Sequence, residues 1–572
     1  MFKNSKISNN TGADNGGGGA FFSSSPVFTN VLISNNSSEA GGGLLCEYRA
    51  DASLINLTIV NNSASQGGSS LHSRADANIS LINSIIWSNG FSEIVSETGG
   101  SVSVTYSTIK NGYAGAGNID SNPLFLDAAN GDYRLSDYSS AIGAGTSSGA
   151  PATDINGVSR PSPSGSSPDM GAYENTLSNP LNRDNWYVSV SGSASGQGTL
   201  ANPLSSIQDA INLTDDGDVI YLGDGTYNED LILTDKQVTI TSEYINDSDT
   251  SHISSTIISG SGNGATIWSK SSDSNNPQSK LNLTGITIKN GNYGDGDVYQ
   301  NGSGIRFEYG KWLKLHNVQI DENTGDRGAG VSVETANYIE IKNSKITNNQ
   351  AGDHGGGISV LNTKKLWLEN TLIADNVVDA YDGGGISTGS VDTTVILHSV
   401  IAHNTIPGGR YGPGGDFNNN VNDSTLIMNS IFSGNLRSGE SNSHQFFDHG
   451  GKFKSYNSLY SNGYMDDGFI DYDVNNIYLQ NVDPFKNSSS KDYRLSDESS
   501  AIGSGISQVN FSGFTVQSPS IDLNGQNRPN PSGTNPDIGA FENTLSEPKY
   551  DRHEVDLNGT KDFTNIASAI NA

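Results

Sequence analysis

The strongest constraint on the fold is a pair of asparagines, six residues apart, that recurs at spacings of 26 and 27 residues near the N-terminus. A repeat period between 20 and 50 residues is typical of a solenoid. The first asparagines of the pairs are Asn4, Asn30, Asn56, Asn83, Asn317, Asn343, Asn370, Asn429 and Asn457, with His398 in an equivalent place. The second ones are Asn10, Asn36, Asn62, Asn89, Asn323, Asn349, Asn376, Asn404 and Asn435.

The segments between these asparagines have the pattern of strands. Apolar and polar residues alternate in YIEIKN (338–343) and LWLEN (366–370), and Gly, Asn and Asp bound each short run. Alternation at period two indicates strands, and the short runs leave no room for long helices. The sequence therefore predicts an all-β fold, a right-handed parallel β-helix with three short strands per coil and about 4.8 Å between coils.

The corners of such coils explain the composition. Gly and Asn tolerate the positive φ angles that sharp corners require, and the chain contains 68 glycines. Asparagines stacked at one corner can also hydrogen-bond to one another as a ladder. We assign this structural role to Asn30, Asn56, Asn83, Asn317, Asn343, Asn370 and Asn429. The GGG segments are predicted to be further corners, and Cys46 a small core residue on a strand.

Two duplicated blocks divide the chain into modules. Residues 132–145 and 492–505 are nearly identical, and both are followed by a second shared element, DxNGxxRP and PDxGAxENTLS. The first element recurs after 360 residues and the second after 368. We predict the later part of a first module at 1–180, a complete second module at 181–548 and the start of a truncated third module at 549–572. Within the second module we place coils at about 218–480 and a closing cap at about 482–546.

A short capping helix is predicted before the second set of coils, near 203–213. Asn202 and Pro203 form a suitable N-cap and first helical position. Leu204, Ile207, Ala210 and Ile211 would then share one face. Such a helix would close the apolar end of a coil stack.

These motifs resemble known repeat families over nearly the whole chain. The stretch from Tyr187 through GDGTY and the Gly/Asn coils resembles right-handed β-helix proteins of the pectate-lyase-like fold. The YRLSDxSSAIG…DxNGxxRP…PDxGAxE ending resembles the closing region of bacterial choice-of-anchor Q domain proteins. The coils are also similar to the repeats of polymorphic outer-membrane adhesins. The resemblance implies an extracellular bacterial surface protein.

Charge and composition exclude several functional classes. The net charge of −30 repels phosphate backbones, which argues against a nucleic-acid partner. The single cysteine excludes a disulfide scaffold, and no run of apolar residues reaches the length of a membrane helix. We expect a monomeric solenoid without a transmembrane segment. Because the chain has the pattern of a fragment, we expect any secretion signal and anchor to lie outside it.

One set of residues on adjacent coils could carry chemistry. The residues four and three positions before Gly330, Gly357 and Gly385 include carboxylates, an imidazole, a guanidinium and a phenol. On adjacent coils these groups would form one patch. Its members are Asp326, Arg327, Asp353, His354, Tyr381 and Asp382. Such a patch could perform acid/base hydrolysis or lyase chemistry, and Asp326, Asp353 and Asp382 could bind Ca²⁺. A polar loop with incidental ion pairs is the alternative, and the first module lacks the equivalent residues.

Two further sets of residues have alternative interpretations. The duplicated cap charges are predicted to form ion pairs that fix the loop, with Ca²⁺ binding as the alternative: Asp154, Arg160, Asp169, Glu174, Asp522, Arg528, Asp537 and Glu542. Trp312 and Trp367 could stack on sugars or pack on a strand face.

The sequence therefore favours an extracellular surface or adhesion scaffold that binds glycans or cell surfaces, without assured catalysis. The alternatives are a polysaccharide lyase or glycoside hydrolase acting on an acidic glycan through the second module, and a purely structural stalk.

Overall fold

The computed structural model shows a parallel β-helix, which confirms the predicted fold class. It describes residues 1–87, 89, 92–181, 183–193, 196–292, 302–407, 414–418, 423–437, 446–448, 452–461, 470–480 and 482–549. The chain divides into two compact units, Met1–Ile220 and Tyr221–Ala572. Of the predicted third module, 549–572, only Lys549 is among the described residues. In the described part no helix is long and apolar enough to cross a membrane.

The first unit stacks its coils through parallel strand pairs. One sheet contains Phe2–Ser8, Val27–Ser34, Asp51–Ile55, Thr58–Val60, Asn78–Ile82, Ile85–Trp87, Ser101–Thr105 and Thr108–Ile109. A second contains Gly19–Phe22, Leu44–Glu47, Leu71–Ser73 and Ile94–Ser96, and a third pairs Ser37–Ser38 with Ser63–Ala64. Cys46 lies in the core of these coils, and burial raises the pKa of its thiol to about 12.

In the second unit, three sheets run along the coils. The long-strand sheet contains Leu231–Thr234, Gln237–Ser242, Ile267–Lys270, Lys280–Thr284, Ile305–His316, Val331–Lys342, Ile358–Glu369, Ile386–Leu397, Gly415–Asn418, Ser424–Met428, Phe446–Asp448, Lys452–Tyr456 and Ile470–Val474. The short-strand sheet contains Gly225–Asn228, Thr256–Ser259, Thr287–Lys289, Gln319–Asp321, Lys345–Thr347, Leu372–Ala374, Val400–Ala402, Ile431–Ser433, Leu459–Ser461 and Ile477–Leu479. The third sheet contains Thr324–Arg327, Gln350–His354, Val377–Val378, Thr405–Ile406 and Leu436–Arg437.

Each coil turns at left-handed corners, as the abundance of Gly and Asn predicts. In the coil that begins at Val331, φ is positive at Thr335, Asn343, Asn348 and Gly355. Thr335 bends the long strand, so one coil edge contributes two straight segments to the same sheet. At the neighbouring Gly357, a Cβ atom would lie 2.6 Å from the Gly385 carbonyl oxygen. The close stacking of successive coils therefore excludes any side chain there.

The two asparagine columns have different surroundings. The second column forms a buried ladder in which each side-chain amide donates to the next coil, for example Asn349 to Asn376 at 3.0 Å and Asn376 to Asn404 at 2.9 Å. The first column has positive φ throughout, and several of its side-chain amides donate to carbonyls of the closing caps. Asn30 donates to the Thr153 carbonyl, and Asn370 to that of Ile521. The first column thus links the coils to their cap.

Each closing cap covers the outer face of one strand row. In the second unit, the cap residues Tyr493, Ile502 and Phe541 pack with outward apolar residues of the short-strand sheet. Those sheet residues are Leu372, Val400, Ile431 and Leu459. The caps contain the hairpins Phe125–Asp127 with Asp132–Leu135 and Phe485–Asn487 with Asp492–Leu495, and the 3-10 helices Ala128–Asn130 and Ser488–Ser490.

Among the cap charges, the arginine and the glutamate of each cap form an ion pair, as predicted. The side chains of Arg160 and Glu174 are fully buried and 3.2 Å apart, and those of Arg528 and Glu542 are buried and 3.0 Å apart. The remaining carboxylates accept backbone N–H groups: both Asp522 oxygens and both Asp537 oxygens have such donors. These contacts fix the cap loop, and Ca²⁺ binding by the cap carboxylates stays a prediction.

We expect the buried cap aspartates to make folding stability depend on pH. Burial and the nearby glutamates raise the pKa of Asp169 and of Asp537 to about 7. The folded chain therefore holds these protons more tightly than the unfolded chain, whose aspartates titrate near about 4. Stability should fall as pH rises from about 4 to about 7 and then level off.

Urea unfolding midpoints across this pH range test the expectation. The fall should persist in high salt, because salt screens the exposed charges far more than the buried ones. A midpoint that rises with pH under those conditions would contradict it.

The region before the second set of coils contains the expected helix, but it begins later than predicted. Helix α1 spans Ile207–Leu213, and Ser206 is its N-cap, accepting from the Asp209 amide at 3.2 Å. Asn202–Pro203 was the wrong start, because Leu204 forms bridges with Val188 and Ser193 instead. The strand Asn185–Ser193 precedes this helix, and Val219–Leu222 follows it. Two short helices, α2 at Tyr244–Asp247 and α3 at Ser251–Ser255, lie in the second unit.

Candidate functional site

The predicted patch lies on three successive coils. Asp326 and Arg327 end one strand of the third sheet, and Asp353 and His354 end the next. Arg327 pairs with His354 across the coils, and His354 forms a parallel bridge with Asp382. The strand register therefore brings these positions into one column, as the spacing from the glycines predicts.

Within the patch, Asp353 contacts both Arg327 and His354. Its Oδ2 lies 2.8 Å from Arg327 Nε, 2.7 Å from Arg327 Nη2 and 3.0 Å from His354 Nδ1. The guanidinium neutralises the carboxylate directly, and a protonated His354 would add to this. In this arrangement the Asp353 carboxylate therefore has a structural role, since it holds Arg327 and His354 together.

Asp326 has different surroundings. Its Oδ2 is buried and has no hydrogen-bond partner among the described residues. Burial, and then the negative charge of Asp353, raise the pKa of the Asp326 carboxyl. The carboxyl groups of Asp326 and Asp353 therefore have different electrostatic surroundings.

The remaining two members of the patch are Tyr381 and Asp382, which make different kinds of contact. The ring of Tyr381 stacks on His354 with 5.3 Å between centroids and 7° between planes, and Tyr381 is 47% exposed. Asp382 contributes its backbone, because its carbonyl accepts from the Gly355 amide at 3.2 Å. Over the part of the chain that is described, no group of three or more His, Cys, Asp or Glu residues is arranged to hold a metal ion. A Ca²⁺ site at Asp326, Asp353 and Asp382 stays a prediction.

A second surface, on the long-strand sheet, carries aromatic rings and lysines together. Between the fully buried Leu313, Leu315, Ile339, Ile341, Leu366 and Leu368, the alternate side chains point away from the core. We call this surface the aromatic face and define it by Lys280, Trp312, Lys314, Tyr338, Lys365 and Trp367. Lys280, Trp312 and Tyr338 are cross-strand neighbours in one row, and Lys314 and Trp367 flank Glu340 in another.

Lysine ammonium groups lie over the rings of the aromatic face. Nζ of Lys280 is 4.4 Å from the Trp312 ring centroid and that of Lys314 is 5.5 Å away. Nζ of Lys365 is 4.7 Å from the centroid of Trp367 and 5.9 Å from that of Tyr338. Such distances, up to about 6 Å, are those of cation–π interactions.

The acidic residues of this surface have partners of their own. Glu340 Oε1 is hydrogen-bonded to His316 Nε2 at 2.7 Å, and Glu340 Oε2 accepts from the Tyr338 hydroxyl. Lys342 Nζ lies 3.5 Å from Glu340 Oε2. Although burial opposes it, these contacts lower the pKa of Glu340 to about 2. By contrast, no described carboxylate lies within 4.0 Å of the Lys280, Lys314 or Lys365 ammonium. The lysines of the aromatic face therefore remain available to an anion.

The aromatic face ends where a hairpin covers the same sheet. The row of Trp367 continues as the apolar Val395 and Leu426, and the adjacent row of Glu369 continues as Leu397 and Met428. The hairpin Gln508–Phe511 with Phe514–Gln517 packs Val509, Phe511 and Val516 on them. Its Phe514 ring lies 4.8 Å from Lys365 Nζ and borders the open half.

The sequence contained a signal for this hairpin. The second closing cap is longer than the first, since the two shared elements recur after 360 and then 368 residues. The added residues fall in the segment that forms the hairpin. Sequence reasoning singled out Trp312 and Trp367 but missed the lysines, because periodicity alone did not show which outward face stays uncovered.

Comparisons with known proteins return fold likenesses only. The chain matches no known family model, and no curated protein matches it in sequence. The pectate lyase Pel9A is 15% identical, with a TM-score of 0.35, over 63% of this chain and 97% of its own. The PL6 family alginate lyase AlyGC is 13% identical, with a TM-score of 0.25, over 82% of this chain and 64% of its own. Pectin methylesterase PemA from Erwinia chrysanthemi is 12% identical, with a TM-score of 0.21, over 50% and 81%. At these values the function must be inferred from the residues of this chain.

Proposed function

We propose that this chain is an extracellular surface scaffold that binds acidic glycans through the aromatic face of its second unit. The observation that supports the proposal is the set of lysines over aromatic rings, without carboxylate partners, on an uncovered sheet surface. Aromatic rings offer apolar platforms with a polar handle, and ammonium groups pair with the carboxylates of acidic sugars.

The overall charge makes this concentration of cations informative. The chain has 61 acidic and 31 basic side chains, so its mean field repels an anionic polymer. A local group of unpaired lysines is therefore needed before such a polymer can bind. Successive coils repeat at about 4.8 Å, so a glycan lying along the coil axis would meet one ring or lysine after another.

The arrangement of the predicted patch favours a scaffold over an enzyme. Asp353 is already paired with Arg327 and contacts His354, which leaves Asp326 as the only one of these two carboxyl groups without a cationic partner. A lyase or hydrolase remains an alternative, as does a structural stalk. The binding experiment below separates the three.

We expect the Trp312→Ala variant to bind oligouronates at least about 10-fold more weakly than the wild type, because central aromatic anchors carry much of the binding energy. Lys365→Met should weaken binding in the same direction. Lys364→Met on the same strand is the matched control, because Lys364 is exposed and is not part of the aromatic face. Isothermal titration with oligouronates and with neutral gluco-oligosaccharides measures both effects.

Three other results would contradict glycan binding through charge or favour a different function. Equal affinity for neutral and acidic oligosaccharides would contradict recognition of charge. Unsaturated or shortened products during incubation, lost in Asp326→Asn, would establish the enzyme instead. No binding to any glycan would favour the stalk.

A further inference from the structure

We infer that a cavity at the edge of the second closing cap binds a single carboxylate-bearing sugar, with Lys345 as the cationic contact. The cavity has a volume of about 230 Å³. Its lining includes Ile253, Asn317, Gln319, Lys345, Leu523 and Asn524. This volume lies below the roughly 300–1,000 Å³ of pockets for drug-sized ligands, which suits one sugar ring.

Lys345 lies where the apolar contact with the cap ends. It belongs to an outward row of the short-strand sheet that continues as Leu372, Val400 and Ile431. These three are covered by the cap, whereas on the other side of Lys345 the row continues as Gln319. The lysine therefore occupies the first position beyond the cap, beside the cap turn that carries Leu523 and Asn524.

The Lys345 ammonium has no anionic partner. Among the described residues, no carboxylate lies within 4.0 Å of it, although the chain has 61 acidic side chains. Burial lowers the pKa of the Lys345 amine, and no nearby charge offsets this. A partly desolvated cation without a partner is unfavourable, so a carboxylate bound beside it would stabilise the site.

The rest of the lining suits the other groups of a sugar. In the described structure, the side-chain amides of Asn317, Gln319 and Asn524 make no hydrogen bond within the protein. They can donate to and accept from hydroxyl groups. Ile253 and Leu523 supply apolar contacts for the carbon face of a ring. Neutral amides with one cation favour a carboxylated sugar over a multiply charged phosphate.

The first unit provides a natural control. Asn4-Ser5-Lys6-Ile7 repeats as Asn343-Ser344-Lys345-Ile346. Lys6 pairs with Leu32 as Lys345 pairs with Leu372, but Lys6 is exposed. Lys6 and Lys345 therefore occupy the same register position, and only their surroundings differ.

Competitive acetylation of the full chain, read by peptide mass spectrometry, tests the proposal. Methyl glucuronoside should protect Lys345 from acetylation but not Lys6 or Lys364. Methyl glucoside and inorganic phosphate should protect Lys345 at least about 10-fold less at equal concentration, the equivalent of about 1.4 kcal/mol. In titrations, Lys345→Met should lose glucuronoside binding and Lys345→Arg should retain it, whereas Lys6→Met should behave as the wild type.

Each contrary result overturns a specific part of the proposal. Equal protection by phosphate would make the cavity a general anion site, and equal protection by the glucoside would remove the role of charge. No protection of Lys345 in the wild type would overturn the site whatever the variants do. The cavity and the aromatic face lie on different sheets, so Trp312→Ala should leave this protection unchanged, and either site can fail without the other.

Discussion

Replacing Arg528 with methionine should destabilise the second unit by about 3–5 kcal/mol, the usual effect of removing one partner from a buried ion pair. The Arg528 side chain is fully buried 3.0 Å from Glu542, and its Nη2 donates to the Gly539 carbonyl at 3.1 Å. Without the guanidinium, Glu542 and the neighbouring Asp537 would be buried carboxyl groups with no cation beside them. The cap would then lose the internal contacts that join residue 528 to Gly539 and Glu542.

Urea unfolding followed by near-UV circular dichroism measures this loss. Arg494→Met is the matched control in the same cap, because Arg494 pairs with Asp492 at the surface and should leave the midpoint nearly unchanged. The double variant Arg528→Met/Glu542→Leu should recover part of the stability, since it removes the unpaired charge as well. If Arg528→Met unfolds at the same urea concentration as Arg494→Met, the ion pair does not hold the cap.

Replacing Asn376 with alanine should destabilise the coils by about 2–4 kcal/mol, because it leaves buried backbone groups without partners. Asn376 Oδ1 accepts the Asn349 backbone amide at 3.0 Å, and its Nδ2 donates to the Ile346 carbonyl at 3.0 Å. Alanine can replace neither contact.

Amide hydrogen exchange is the most direct measurement, because a solenoid opens locally rather than all at once. Exchange of the Asn349 amide should accelerate by about two orders of magnitude. Asn10→Ala is the control: Asn10 donates to Asn36 in the same kind of contact at 2.8 Å, but it is exposed at the end of its ladder. Equal effects of the two variants would show that burial of the ladder contributes little.

The candidate sites show how far register can be predicted from spacing. Counting back from three glycines brought Asp326, Asp353 and Asp382 to neighbouring coils, and the strand pairing places them there. The same count could not show that Asp353 pairs with Arg327 while Asp326 Oδ2 has no partner. Those contacts depend on side-chain directions, which the spacing leaves open.

The aromatic face and the Lys345 cavity were less accessible to sequence reasoning. Both lie beside a covering element that joins distant parts of the chain: the hairpin at 508–517 and the cap turn at Leu523. Lys345 and Leu372 occupy equivalent positions in successive coils, yet one lines a cavity and the other is buried. Their surroundings differ because the cap packs on Leu372 but ends beside Lys345.

The coil period, the left-handed corners and the duplicated caps could all be predicted from the amino-acid sequence. These depend on local preferences, namely the alternation of apolar residues and the tolerance of Gly and Asn for positive φ. The tertiary structure decided which outward rows are covered, which charges are paired and where cavities remain. Those features depend on contacts such as Asn370 with Ile521, 151 residues apart, which close only when the cap folds back on the coils. The residues of a repeat determine the geometry of their own coil, but they do not determine which distant segment packs against it.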